Sequence, residues 1–181
     1  MRSMKPDKDV RVRKIRIPTE HGNVPALLLS PLAAPVNAPG VLWLHGGGYI
    51  VGMKEMVHMS RAVDLVKKHG AVVLSPGYRL APLAPFPAAL DDCYAALLFL
   101  RKHAGKLGVR EDQLMVGGES AGGGLCAAVY LFAKTPAFAL SWWLSGLSYD
   151  AMHGVGNFAI MLLLYKPLRK ALQAAKRQIG Y

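Results

Sequence analysis

Gln113-Leu114-Met115-Val116-Gly117-Gly118-Glu119-Ser120-Ala121-Gly122-Gly123-Gly124 is the stretch whose pattern decides the fold. An apolar run of strand length enters it, and Leu125 to Ala133 leaves it with helical spacing. Gly118, Glu119, Ser120, Ala121 and Gly122 fit G-x-S-x-G, and a serine on a sharp turn between a buried strand and a helix has its Oγ lifted clear of the sheet. The flanking glycines let neighbouring backbone approach with no Cβ in the way. The helix that follows points free N–H groups, with their partial positive charge, at any anion formed beside Ser120. Ser120 is therefore a candidate nucleophile. The same glycines also suit a plain tight connection or a phosphate cradle, so this motif alone leaves the chemistry open.

An earlier apolar run, Val41-Leu42-Trp43-Leu44, stops abruptly at His45-Gly46-Gly47-Gly48. A glycine loop after an earlier buried strand can reach the serine from the side and offer N–H groups to the oxyanion of a tetrahedral intermediate. Losing one such donor typically costs about 3 to 4 kcal/mol of transition-state stabilisation. His45, adjoining the loop, reads as its brace rather than as a general base. A nucleotide site fits poorly: Gly47 to Lys54 runs G-G-Y-I-V-G-M-K, with Met53 where a P-loop has lysine, and no G-x-G-x-x-G opens a helix after the first buried strand.

Around the two motifs the chain alternates between strand and helix patterns. Val10 to Ile17 and Val24 to Leu29 read as strands joined at His21-Gly22-Asn23, a hairpin. Residues 57–69 have helical spacing, Ala71 to Ser75 reads as a second buried strand, and Pro87 to His103 as a long helix with proline at its start and Gly105 past its end. Gln113 to Val116 is the third buried strand. This order predicts an α/β fold, a mostly parallel sheet flanked by helices. At 181 residues the expectation is one domain, 1–181.

Composition narrows the function classes. Apolar residues make up 52% and charged residues 18%, which excludes a disordered chain. The net charge of +11 sits mostly at the ends: residues 1–20 hold 7 basic and 3 acidic side chains, and residues 166–181 hold 5 basic and none acidic. A nucleic-acid face needs basic residues clustered on one folded surface, so no nucleic-acid partner is expected. Lys166, Arg169, Lys170, Lys176 and Arg177 leave open a weak membrane contact through a basic tail. Cys93 and Cys126 lie in apolar helix-like segments without metal-ligand spacing, so no metal site is expected and both read as small buried hydrophobes. His21, His58, His69 and His103 have no paired acid or cysteine and read as surface residues, and Asp91 and Asp92 as helix-start and scaffold residues. The polar amino-terminal stretch has no apolar h-region, which points to a cytoplasmic address, and the runs Ala137 to Leu147 and Val155 to Tyr165 are about half the ~20 residues of a membrane helix.

Taken together, LHGGGYIVG, SPGYRLAPLAPFPAALDDCYAAL and LMVGGESAGGGLCAA resemble the hormone-sensitive-lipase-like family of α/β-hydrolases, over roughly residues 40–130. The resemblance implies an α/β-hydrolase fold and a carboxylic ester hydrolase acting on a small-molecule ester, with no cofactor. It implies Ser120 as nucleophile, the N–H groups of Gly47, Gly48 and Ala121 as the oxyanion hole, and Tyr78-Arg79-Leu80-Ala81-Pro82 as scaffold beside the site. His45, Gly46, Gly118, Glu119 and Gly122 complete the motifs. Glu119 stands where aspartate is commoner, and Leu83 where an acidic residue usually follows the proline.

The larger departure follows Ala133, where residues 136–181 form a divergent tail. Only 61 residues follow Ser120, barely room for two βα units, so the fold is expected to be incomplete at its C-terminal side. His153-Gly154 resembles the family's histidine near the chain end, making His153 the candidate base. Asp150 is the one acid after Glu119, but three residues from His153 is closer than the family's separate-loop arrangement. Phe138 to Leu147 reads as one further strand, and the Trp142-Trp143 pair as core or interface. The alternative function is a catalytically impaired remnant of that fold whose open sheet edge binds a partner or forms a homo-oligomer.

Overall fold

The computed structural model describes residues 4–133 together with 162–167, 169 and 173. The chain divides into two compact units, Met1–Lys134 and Thr135–Tyr181. The first holds a five-stranded sheet: β1 (Val10–Thr19), β2 (Gly22–Pro31), β3 (Ala38–Leu44), β4 (Val72–Pro76) and β5 (Val109–Gly118), in the order β1-β2-β4-β3-β5. The three strands read as buried cores pair in parallel, β4 with β3 and β3 with β5. The amino-terminal hairpin adds two antiparallel pairings, β1 with β2 and β2 with β4, so the sheet is mixed.

Helices cover both faces, and the strand period of two assigns residues to each. Leu28, Leu42, Leu44 and Leu74 point to one side, where they meet Leu90, Cys93, Ala96 and Leu100 of α2 (Ala88–Lys102) and Leu125 and Val129 of α3 (Ala121–Ala133). Leu27, Leu29, Val41, Trp43 and Val73 point to the other, against Ala62, Val63 and Val66 of α1 (Ala62–His69). Two covered faces explain why β2, β3 and β4 read as unbroken apolar runs rather than alternating ones. Each fully buried leucine or valine contributes about 1.5 to 3 kcal/mol relative to exposure.

Three local expectations are corrected. The helical pattern over 57–69 is two elements, a 3-10 turn Lys54–Met59 and α1. Ser60 divides them: its Oγ donates to the Val57 carbonyl at 2.8 Å and accepts the Ala62 N–H at 3.1 Å, capturing the backbone groups a continuous helix would use. The apolar run in β5 is not fully buried. Leu114 and Val116 are half-buried and Met115 is 44% exposed, because among the described residues β5 has a partner strand on one edge only. His58 is buried rather than superficial, carried inward by the 3-10 turn beside Val57.

In the second unit, residues 162–167 are helical, with Leu162, Leu163, Leu164 and Tyr165 exposed. No helix among the described residues is long and apolar enough to cross a membrane.

Candidate active site

The two glycine motifs meet because of strand register. β3 and β5 are parallel neighbours, and Leu44 pairs with Gly118, so both strands end at the same level and their loops leave side by side. The Glu119 N–H donates to the Leu44 carbonyl at 3.2 Å, extending the pairing by one residue. Ser120 then turns to φ 53°, the left-handed region that a serine enters at a cost of about 1 to 2 kcal/mol. The chain continues directly into α3, whose first turn closes through the Gly122 N–H on the Glu119 carbonyl (2.9 Å) and the Gly123 N–H on the Ser120 carbonyl (2.8 Å). Ser120 is exposed.

Close approach explains the glycines on either side. A Cβ at Gly122 would overlap the Leu44 carbonyl oxygen and stand 2.6 Å from that of His45, so the first turn of α3 can sit on the end of β3 only with hydrogen there. A Cβ at Gly46 would lie 2.9 Å from the Glu119 carbonyl oxygen and 3.3 Å from Ser120 Cβ. Gly46 and the serine turn are thus in contact. Beyond Gly46 the loop tightens: Gly47 has φ 124°, and its carbonyl accepts the N–H groups of Ile50 (3.1 Å) and Val51 (3.0 Å). Among the described residues the N–H groups of Gly47, Gly48 and Ala121 have no hydrogen-bond acceptor.

His45 lies beneath this loop, 3% exposed. Its ring stacks on Tyr78, with centroids 4.1 Å apart and planes within 8°, and its Nδ1 lies 2.8 Å from the Gly46 carbonyl oxygen. Burial pushes the imidazole below its ordinary pKa of 6.5, so it is neutral at neutral pH. In that state Nδ1 carries the proton and donates to Gly46, which leaves Nε2, buried and without a partner among the described residues, as a bare acceptor. The Tyr78 hydroxyl donates to the His45 carbonyl at 2.7 Å, and burial raises its pKa.

The loop after β4 is fixed in turn to α2. Asp92, 1% exposed, accepts the Arg79 backbone N–H at 2.9 Å and pairs with the guanidinium through Nη2 (2.9 Å) and Nε (3.0 Å). Asp92 is a scaffold residue, as read from the sequence. Cys93 is fully buried and Cys126 half-buried; burial raises the Cys93 thiol well above its ordinary range and pushes Cys126 up to about 12.

The structure brings Ser120, Glu119, Gly118 and Gly122 together with His45 and Gly46, and Gly47 follows in the same loop. His153, Asp150, Trp142, Trp143 and the strand expected at Phe138 to Leu147 lie outside the described residues. His21 and His69 are exposed and His103 half-buried. No group of three His, Cys, Asp or Glu side chains among the described residues can hold a metal ion. A groove of about 800 Å³ lies elsewhere, between the β1–β2 turn and α2, lined by His21, Asp91, Tyr94, Phe99 and Lys102 among others. Tyr49 was missed by sequence reasoning: it has φ 64°, and its hydroxyl ends against Gly124. The signal was a bulky aromatic directly after three glycines.

Residues 41–173 match the family model described as alpha/beta hydrolase fold. The chain is 36% identical over 122 residues to an arylesterase of Saccharolobus solfataricus, covering 67% of this chain and 39% of the relative. It is 38% identical over 107 residues to hormone-sensitive lipase of Bos taurus, covering 59% of this chain and 14% of the lipase. Among solved structures, a bacterial heroin esterase superposes with a TM-score of 0.66 at 36% identity, over 72% of this chain and 41% of that one. The matched relatives are thus much longer than the stretch they share with this chain.

Proposed function

The chain belongs to the α/β-hydrolase fold family, in its hormone-sensitive-lipase-like group, and from that premise we propose that it is a serine carboxylic ester hydrolase acting on short-chain acyl or aryl esters through an acyl-enzyme. Ser120 Oγ attacks the ester carbonyl while its proton passes to the imidazole of His153. The tetrahedral oxyanion is held by the N–H groups of Gly47, Gly48 and Ala121. The C–O bond to the alcohol then breaks, and the alcohol departs with the proton. Water attacks the acyl-Ser120 ester by the reverse sequence and releases the acid. His45 works below the reaction as a brace, neutral and stacked, holding Gly46 against the serine turn.

The observation that carries this reading is the Leu44–Gly118 register, which sets a left-handed serine at a helix start against a glycine loop whose Gly47 and Gly48 N–H groups have no acceptor among the described residues. The test is p-nitrophenyl butyrate hydrolysis by the purified chain, with Ser120→Ala at equal concentration and fluorophosphonate labelling of both. Turnover should fall about ten-thousandfold or more in Ser120→Ala, with labelling abolished. His153→Ala should fall comparably if that histidine is the base. Equal, near-background rates in all three would sink the esterase reading. One observation favours the other reading, association: the half-exposed β5 edge, with Met115 44% exposed. Light scattering that finds only monomer would remove it.

A further inference from the structure

Three non-glycine residues among those described have positive φ: Asn37, Tyr49 and Ser120. Asparagine enters this region with little strain, and the turn accounts for Ser120. Tyr49, at φ 64°, is the outlier, since a bulky side chain persists there only when its surroundings hold it. Two contacts do so. The Gly47 carbonyl closes the turn through the Ile50 and Val51 N–H groups, and the Tyr49 carbonyl accepts the Ala81 N–H at 2.8 Å. The strained backbone delivers the phenol to α3, where a Cβ on Gly124 would stand 2.6 Å from the Tyr49 hydroxyl oxygen.

That seat is next to the nucleophile. Ser120 immediately precedes α3, and the Gly124 N–H donates to the Ser120 carbonyl at 3.3 Å, one turn along. Ser120 and Gly124 are both exposed, and the Tyr49 ring beside Gly124 is 38% exposed. The space that a side chain at 124 would fill is occupied by a phenol sent from the oxyanion loop.

We propose that Tyr49 is a specificity-determining residue whose ring walls the site along the first turn of α3 and restricts the acyl group to short chains; this rests on the reading of Ser120 as an esterase nucleophile. An acyl chain running from Ser120 along α3 meets the ring within about one helical turn. Removing the ring opens that direction, and any loosening of the glycine loop that accompanies it lowers turnover of short and long esters alike and leaves their ratio unchanged.

The test compares kcat/KM on p-nitrophenyl acetate, butyrate and octanoate for the full chain and for Tyr49→Ala, Tyr49→Phe and Gly124→Ala, with circular dichroism verifying each fold. In Tyr49→Ala the octanoate-to-acetate ratio should rise about tenfold, the discrimination that one or two methylenes carry in an apolar pocket, and the gain should appear in KM. Tyr49→Phe keeps the ring and should keep the original ratio. Gly124→Ala, which unseats the hydroxyl from the other side, should raise the ratio by less. Ratios unchanged in both alanine variants while Ser120-dependent turnover persists would overturn the Tyr49 assignment alone and make it a packing residue. Absence of Ser120-dependent turnover of every ester in the unmodified chain would overturn the esterase reading and Tyr49 with it.

Discussion

The loops leaving β3 and β5 meet at one site but differ in what holds them. Besides its own backbone bonds, the β3 loop is fastened by side chains: the His45 ring stacked on Tyr78, the Tyr78 hydroxyl on the His45 carbonyl, and the Tyr49 phenol on α3. The β5 turn is held by backbone: the Glu119 N–H on Leu44, the glycine contacts of Gly122, and the closing bonds of the first turn of α3. A loop fixed by side chains can be loosened by trimming them. A turn fixed by backbone contact fails when anything is added. The glycines at the β5 turn are therefore space requirements, and the aromatics at the β3 loop are fasteners.

Adding a methyl should have the largest effect. Gly122→Ala forces a Cβ onto two backbone carbonyl oxygens that cannot swing aside, and should destabilise the chain by about 3 kcal/mol, read from urea midpoints, with labelling of Ser120 lost in parallel. A stable, reactive Gly122→Ala would break the contrast. Trimming comes next: Tyr78→Phe leaves the buried His45 carbonyl without its donor and should cost about 1 to 3 kcal/mol in the same measurement. Gly123→Ala sharpens the distinction because its nearest neighbour is the Gly118 carbonyl oxygen at an ordinary 3.9 Å. There the helix preference for alanine wins, and the variant should be more stable by up to about 1 kcal/mol. Neighbouring glycines would thus respond with opposite signs.

The smallest effect near neutral pH concerns the fastener itself. Burial lowers the pKa of both His45 and His58 below 6.5, so the folded state takes up fewer protons than the unfolded chain. Their contribution is present above pH 6.5 and is lost as pH falls from 6.5 through the folded values. Melting temperatures should be level between pH 8 and 7 and decline below about 6.5. His58→Gln should flatten the decline, and an equal slope in that variant would exclude His58 as a contributor.

Local signals carried the reading of strands and turns. Val41 to Leu44 and Ala71 to Ser75 are apolar without alternation because both sheet faces are covered, and the glycine runs mark the places where backbone meets backbone. The long helix from Pro87 was legible from its punctuation, and it forms as α2 over Ala88–Lys102. What escaped depends on contacts far along the chain. Leu114-Met115-Val116 has the composition of a central strand, yet its exposure is set by which strands flank it. His58 carries no sign of burial in its neighbours, because the sheet packed over the 3-10 turn does the burying. The G-x-S-x-G motif was legible as a serine turn, whereas Tyr49 was not, since its seat on Gly124 joins residues 75 positions apart.

The two cysteines provide a silent background for chemistry. Burial keeps the thiols of Cys93 and Cys126 protonated at neutral pH, and a protonated thiol is a poor nucleophile. A chain carrying Ser120→Cys would then present one reactive thiol, at the start of α3 where the helix field favours thiolate. The pH dependence of its reaction with iodoacetamide would give that field as a single titration curve, recorded without any substrate.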